Sequence, residues 1–303
     1  MRTGMSSKFL ITSGFLLLCI PLSVAVFAQE CTKREISRTT EKELAASLEV
    51  AFGTLTVSKG DRSKTVIAEY ERDRDEKQRL EMSYEIVHDR GKLDIELTDS
   101  KRSRKRDDSS ISWEEHREHR SDYEDRYLSA KFTDAIPIAF KIALGAGKGD
   151  FDFTGLKVNR LKISAGASSA DLRCDEPNAV SCDEVIIESG VSKFSAEGLC
   201  NLNFRKLKFS GGIGGYKLDF GGKLRQNATA EIEVGLGAVT VYVPRDMPVQ
   251  VMYDDSWFSS MDFDDSFVRV KKSLYETANF RGSDTYLTIK IESGLGSVKL
   301  KTR

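Results

Sequence analysis

Apolar and polar residues alternate along most of the chain, and glycine breaks the alternation at regular intervals. The unit is first clear in Leu48-Glu-Val-Ala-Phe-Gly53-Thr-Leu-Thr-Val57. It returns as Phe140-Lys-Ile-Ala-Leu-Gly145, Leu161-Lys-Ile-Ser-Ala-Gly166, Val185-Ile-Ile-Glu-Ser-Gly190, Leu207-Lys-Phe-Ser-Gly-Gly212, Glu231-Ile-Glu-Val-Gly235 and Thr288-Ile-Lys-Ile-Glu-Ser-Gly294. From Gly145 to Gly235 the successive corner glycines are 21, 24, 22 and 23 residues apart. Period-two alternation puts one set of side chains inward and the other into water. Leu207, Phe209 and Ile213 are thus expected to face in and Lys208 out.

Glycine at the corner allows positive φ and close backbone approach. A spacing near 22 is too short for a strand–helix–strand crossover with ordinary loops at every copy, but fits one coil of a solenoid. The closest copies, Ile232–Val241 and Ile291–Leu300, share six of ten residues at an offset of 59. The pattern predicts an all-β protein, a β-solenoid-like stack of short strands with glycine corners; the alternative is an antiparallel β-sandwich. The one weak helix signal, Glu41–Ser47, serves equally as the entry to the Leu48 strand.

Composition changes this picture little. The 303 residues are 40% hydrophobic and 31% charged, which excludes wholesale disorder, and the net charge of −1 argues against a nucleic-acid binder. Glycine is unevenly placed: residues 140–243 hold 15 of the 23. Charge is uneven too. Residues 101–127 carry sixteen charges, eight of each sign, and are expected to be an exposed, flexible insertion. The chain therefore divides into a signal peptide (1–28), an N-terminal β-part (29–100), a charged insertion (101–130) and a glycine-rich stack (131–303).

The signal reading rests on Arg2 and Lys8, the uncharged run Phe9–Phe27, and Val26-Phe27-Ala28 before the cleavage point. Once it is cleaved, no transmembrane helix is expected, and the protein is placed outside the cytoplasm, in the periplasm or at the cell surface. Such a compartment permits disulfides. Cys174 and Cys182 bracket a turn-rich loop and are expected to form one, worth roughly 2–3 kcal/mol. Cys200 reads equally as a free, buried thiol or as a partner of Cys31.

The ladder Leu161–Gly166, Val185–Gly190, Leu207–Gly211 and Glu231–Gly237, with Val241-Tyr-Val-Pro244, Met247-Pro-Val249 and Ile291–Val298, resembles the bacterial putative-adhesin or toast-rack family, which includes the C-terminal domain of LiaF-like envelope-stress proteins. The likeness spans roughly 135–303, with Leu48–Tyr70 fitting more loosely. It implies a β-solenoid or sandwich-like scaffold at the cell envelope and transfers no functional residues. Unlike LiaF-like proteins, this chain has a cleavable signal and no multi-helix membrane region.

Candidate chemistry is sparse. Asp254, Asp255, Asp262, Asp264 and Asp265 could offer oxygens to Ca²⁺, but their spacing matches no EF-hand loop, and a solvated loop is the simpler reading. Tyr253, Trp257 and Phe258 beside them form the best candidate ligand surface, suited to stacking on sugar rings. Gly145-Ala-Gly-Lys-Gly149 fails the P-loop spacing, and His116-Arg-Glu-His119 lies in the charged run. With His88 these are the only histidines, and no triad follows. Asp150, Asp152, Asp171 and Asp219 fall where alternation places outer-face acids.

No cofactor or metal is expected. The function expected is a non-enzymatic, adhesin-like β-repeat scaffold of the cell envelope, binding an unknown protein or polysaccharide. The alternatives are a β-helix-type carbohydrate-active enzyme and an accessory regulator of envelope-stress signalling.

Overall fold

A computed structural model describes residues 30–72, 78–99, 126–253 and 259–303. The amino-terminal strands are β1 (Glu30–Ser37), β2 (Glu43–Lys59), β3 (Lys64–Arg72), β4 (Gln78–Val87), β5 (Arg90–Asp99) and β6 (Tyr127–Phe132). Five long strands follow: β7 (Ile138–Asp152), β8 (Val158–Arg173), β9 (Cys182–Glu197), β10 (Phe204–Asp219) and β11 (Ala228–Val243). The chain ends with β12 (Val249–Tyr253), β13 (Ser259–Phe263), β14 (Phe267–Lys271), β15 (Leu274–Thr277) and β16 (Leu287–Thr302).

The long strands lie parallel in the order β2-β7-β8-β9-β10-β11-β16. Their register follows the glycine spacing: Phe140 pairs Leu161, Leu161 pairs Val185, Val185 pairs Leu207, Leu207 pairs Ala230 and Ala230 pairs Ile289. Each strand bends at its middle. In β10, Leu207, Phe209 and Gly211 are buried before the bend, and Tyr216 and Leu218 after it, so the inward parity switches from odd to even. The two halves face each other across one core, where the Phe209 ring meets Tyr216 edge-on at 5.1 Å. Phe194, Phe140 and Phe153 continue the aromatic filling along the stack. This parity switch overturns the expectation for Ile213. It stands in the bend itself, points out, and is 52% exposed.

Return loops carry the chain from the second half-sheet back to the first. A buried loop must satisfy its own polar groups. Asparagines do this: Asn178 donates to Val158 O (2.6 Å) and Leu202 O (2.9 Å), and Asn201 donates to Cys174 O (2.9 Å). The Cys174–Cys182 bridge expected across this loop is not formed, and all four described cysteines are free thiols. Cys174 follows the end of β8 and Cys182 opens β9, so they belong to different half-sheets, and each sulfur hydrogen-bonds the carbonyl two residues on, Glu176 O and Glu184 O. Burial, the dominant cause, pushes both thiols up to about 12 and Cys200 higher still.

Each end of the stack has a coil made from two separate strands. At the amino-terminal end β5 pairs the first half of β2 and β6 the second. At the carboxy-terminal end β12 and β13 pair the two halves of β16 in the same way. The charged stretch stands between β5 and β6 in the sequence, outside the described residues except at its end, where Tyr127 already belongs to β6. Antiparallel strands extend the ends: β4 on β5, β3 and then β1 on β6, and β15 and then β14 on β12.

Candidate functional site

The corner takes four residues from each coil. Its first position is glycine in six coils, because each strand passes against the carbonyl of the coil before it; a Cβ on Gly294 would collide with Gly235 O. The third position turns the chain. Gly237, at φ +146°, takes a conformation that L side chains rarely adopt, and a Cβ there would collide with Gly214 O.

Between these two positions sits one outward residue per coil. In register from β2 they are Phe52, Ala146, Ala167, Val191, Ile213, Leu236 and Leu295. The last four are large aliphatics exposed to 63%, 52%, 47% and 52%. With neighbouring strands about 4.8 Å apart, they form a ridge about 14 Å long. Glycines beside it leave a groove of about 590 Å³, lined by Gly212, Gly235, Gly294, Ser210, Glu233 and Glu292. Glu233 and Glu292 are register neighbours. Lys208 holds Glu233 at 2.9 Å, and the Ser210 hydroxyl donates to it at 3.3 Å.

The outer face below the groove is a lattice of exposed ion pairs, including Lys162–Glu188 (3.2 Å) and Lys290–Glu231 (3.1 Å). The Ser164 hydroxyl bond, opposed by slight burial and aided by Lys162, holds Glu188 below the ordinary carboxylate range. Exposed pairs of this kind contribute about 0–1 kcal/mol each. They define a polar wall rather than reactive groups.

Several of the residues anticipated from sequence fall beyond the described part of the chain. Asp254, Asp255, Trp257 and Phe258 lie outside the described residues, as do His116 and His119. Tyr253 closes β12 half-buried, and Asp262 is exposed on β13. Asp264 caps a turn, accepting from Ser266 N and Oγ (3.0 Å each) and Thr302 N (3.4 Å). These bonds, the Ser266 backbone N–H first, hold its carboxyl below the ordinary range.

Asp150 and Asp171 are register neighbours and exposed, while Asp152 pairs Arg173 at 2.7 Å. Asp219 is buried against Arg303. His88 stands at the exposed tip of the β4–β5 hairpin at φ +49°. Among the described residues no group of three or more His, Cys, Asp or Glu could hold a metal ion. The exposed ridge was the feature missed by period-two reading. Its signal in the sequence is a large apolar residue between two small corner residues, as in Gly235-Leu-Gly237 and Gly294-Leu-Gly296.

A parallel stack of bent strands with a glycine-lined outer corner defines a β-repeat scaffold. Residues 28–197 match the family described as the N-terminal domain of toast_rack, DUF2154, and since the match covers more than half of the chain, the chain belongs to that family. The match takes in the amino-terminal strands and meets the likeness read from sequence over 135–197.

Among solved structures, a "putative cell adhesion protein" from Clostridium sporogenes is 18% identical, with 91% of this chain and 100% of that one covered and a TM-score of 0.45. A "putative adhesin" from Bacteroides fragilis is 12% identical over 91% of this chain and 99% of its own, at a TM-score of 0.34. A "putative lipid binding protein" from Parabacteroides distasonis is 11% identical over 89% and 97%, at 0.33. No curated protein matches the chain. Among the described residues no helix is long and apolar enough to cross a membrane.

Proposed function

We propose that the protein is an exported, non-enzymatic, adhesin-like scaffold of the cell envelope that binds an envelope component, protein or polysaccharide, through its outer surface. The observation that carries this reading is the ridge Val191, Ile213, Leu236 and Leu295. Four large aliphatics in register on an outer corner form a contiguous apolar patch, which marks contact surfaces more often than scattered apolar residues do. A scaffold also suits the electrostatics: the described acids lie on outer faces, in turn caps and in ion pairs, and of the two acids in the groove Glu233 is held by Lys208 and the Ser210 hydroxyl.

The test is retention of the host's own envelope fraction by the immobilised protein, compared with Ile213→Asp and Leu236→Asp. Both positions are exposed, so the variants keep the fold. The expected result is retention reduced about fivefold or more, the effect of about 1 kcal/mol lost at a buried contact. Equal retention by wild type and variants contradicts the reading. Export is checked separately: the amino terminus of the protein recovered outside the cytoplasm should be Gln29.

A further inference from the structure

The carboxy-terminal end of the stack carries an open strand edge. Among the described residues β13 pairs only with β16. Asp264 N–H donates to Leu300 O at 3.0 Å. In a parallel ladder successive residues turn their N–H and C=O groups to opposite sides. Ser260 and Asp262 therefore turn theirs towards β16, as Asp264 does, and Met261 and Phe263 turn theirs outward. The side chains agree. Met261 and Phe263 are in register with Val298 and Leu300, which are buried, yet both are only partly buried against the core.

Other sheet edges carry the charges that discourage pairing: Lys33, Arg34 and Glu35 on β1, Arg79, Glu81 and Glu85 on β4, Arg269 and Lys271 on β14. In Ser259-Ser-Met-Asp-Phe263 the one charge is Asp262.

We propose that the β13 edge is a strand-docking site for an extended segment of a partner protein with an apolar–basic–apolar pattern. This rests on the reading of the protein as a binding scaffold and names a second contact, away from the corner ridge. The pattern follows from the register. Asp262 lies opposite Lys299 on the outer face, so a basic residue on the incoming strand continues an alternating row of charge. Apolar residues on either side of it complete the burial of Met261 and Phe263. Main-chain bonds to Met261 and Phe263 supply affinity, and the alternate side chains supply selectivity.

A second copy of this chain fits less well. Its edge strand β14 holds Val268-Arg269-Val270, but Arg269 already donates to Lys271 O (3.3 Å) and Lys272 O (3.1 Å).

The probe is a labelled peptide, Gly-Ser-Val-Lys-Leu-Lys-Thr, the sequence of 296–302 that β13 already pairs with. Binding is read by fluorescence anisotropy on the purified protein. The expected result is saturable binding, weakened about tenfold when the first peptide lysine becomes glutamate and about tenfold or more by Met261→Pro, which removes an outward N–H but no bond to β16. Asp262→Lys, at an exposed position, should reverse the preference between the two peptides, and it decides the matter if the proline variant fails to fold. Absence of binding at millimolar peptide, or no reversal in Asp262→Lys, overturns the proposal. So does a concentration-dependent dimer abolished by Asp262→Lys, which would assign the edge to a second copy. If the peptide fails while the envelope fraction is still retained through the ridge, only the strand-docking site falls.

Discussion

Among the described residues, the second half of the split coil lies under further strands at the amino-terminal end of the stack, and at the carboxy-terminal end it does not. β6 is paired on both sides, by β2 and β3, and its core-facing Leu128, Ala130 and Phe132 are fully buried. β13 occupies the equivalent place against β16 and, among the described residues, is paired on one side, with Met261 and Phe263 partly exposed. A stack of parallel strands must end somewhere, and its last strand offers the same backbone template as every strand before it. The covered end turns that template into core. The open end leaves it available, and the side chains that would have been core become the floor of a docking edge.

The largest expected difference is in packing. Phe132→Ala should cost about 3–5 kcal/mol in urea denaturation, as a fully buried ring does. Phe263 is half-buried, with its ring stacked 3.8 Å from Tyr275, and Phe263→Ala should cost about half as much. Equal losses would mean that the two ends are equally covered.

The corners between the ends give an internal control. Gly237→Ala should cost about 2–4 kcal/mol, from a strained φ and a collision with backbone. Gly215, one residue past the turning position of its own corner, has nothing within 4 Å of an added Cβ. Gly215→Ala should stay within about 0.5 kcal/mol. Similar thermal shifts in both variants would break the account of the corner.

Electrostatics separates the covered end from the rest at lower cost. Glu41 is buried beside β3, where its carboxylate accepts from Thr39 N (2.9 Å), Thr39 Oγ1 (3.0 Å) and Thr65 Oγ1 (2.7 Å). Burial alone would raise its pKa, but these bonds outweigh it and hold the group below its ordinary value of 4.5. A lowered carboxyl stabilises the fold above its unfolded pKa, and that stability is lost as pH falls through the folded value. Glu41→Gln should therefore cost about 1–3 kcal/mol at pH 7 and progressively less below pH 4.5.

Asp219 has the opposite sign. Burial raises it above 3.8, against the Gly221 N–H and Arg303, so its contribution is fully present below 3.8 and is lost as pH rises through the folded value. Denaturation of Asp219→Asn across this range should show the reverse trend. Met261→Lys is likewise expected within about 0.5 kcal/mol, because the long stem can keep its charge in water at an open edge.

Much of this was legible from spacing. The gaps of 21, 24, 22, 23 and 59 residues between repeats are the register offsets of the parallel ladder, because each coil repeats one strand, one corner and one return. The sequence did not disclose the shift of parity within a coil. Alternation carried through the corner puts Ile213 inside, but a bend that places two half-strands face to face must change which residues point in. The cysteine pair misled for a related reason: residues flanking a return loop begin and end different half-sheets, so closeness in sequence is no sign of bonding. The split coils were hidden as well. β12 and β13 are five residues each, and only their pairing with the two halves of β16 shows them to be one coil.

The central claim, that the second half of the split coil is covered at the amino-terminal end and open at the carboxy-terminal end, is tested most directly by amide hydrogen exchange resolved residue by residue. On β6, Leu128, Ser129, Ala130 and Lys131 should all be protected. On β13 protection should alternate, with Ser260 and Asp262 slow and Met261 and Phe263 exchanging at rates near those of an unstructured chain. Uniform protection along β13 in the free protein would contradict the account.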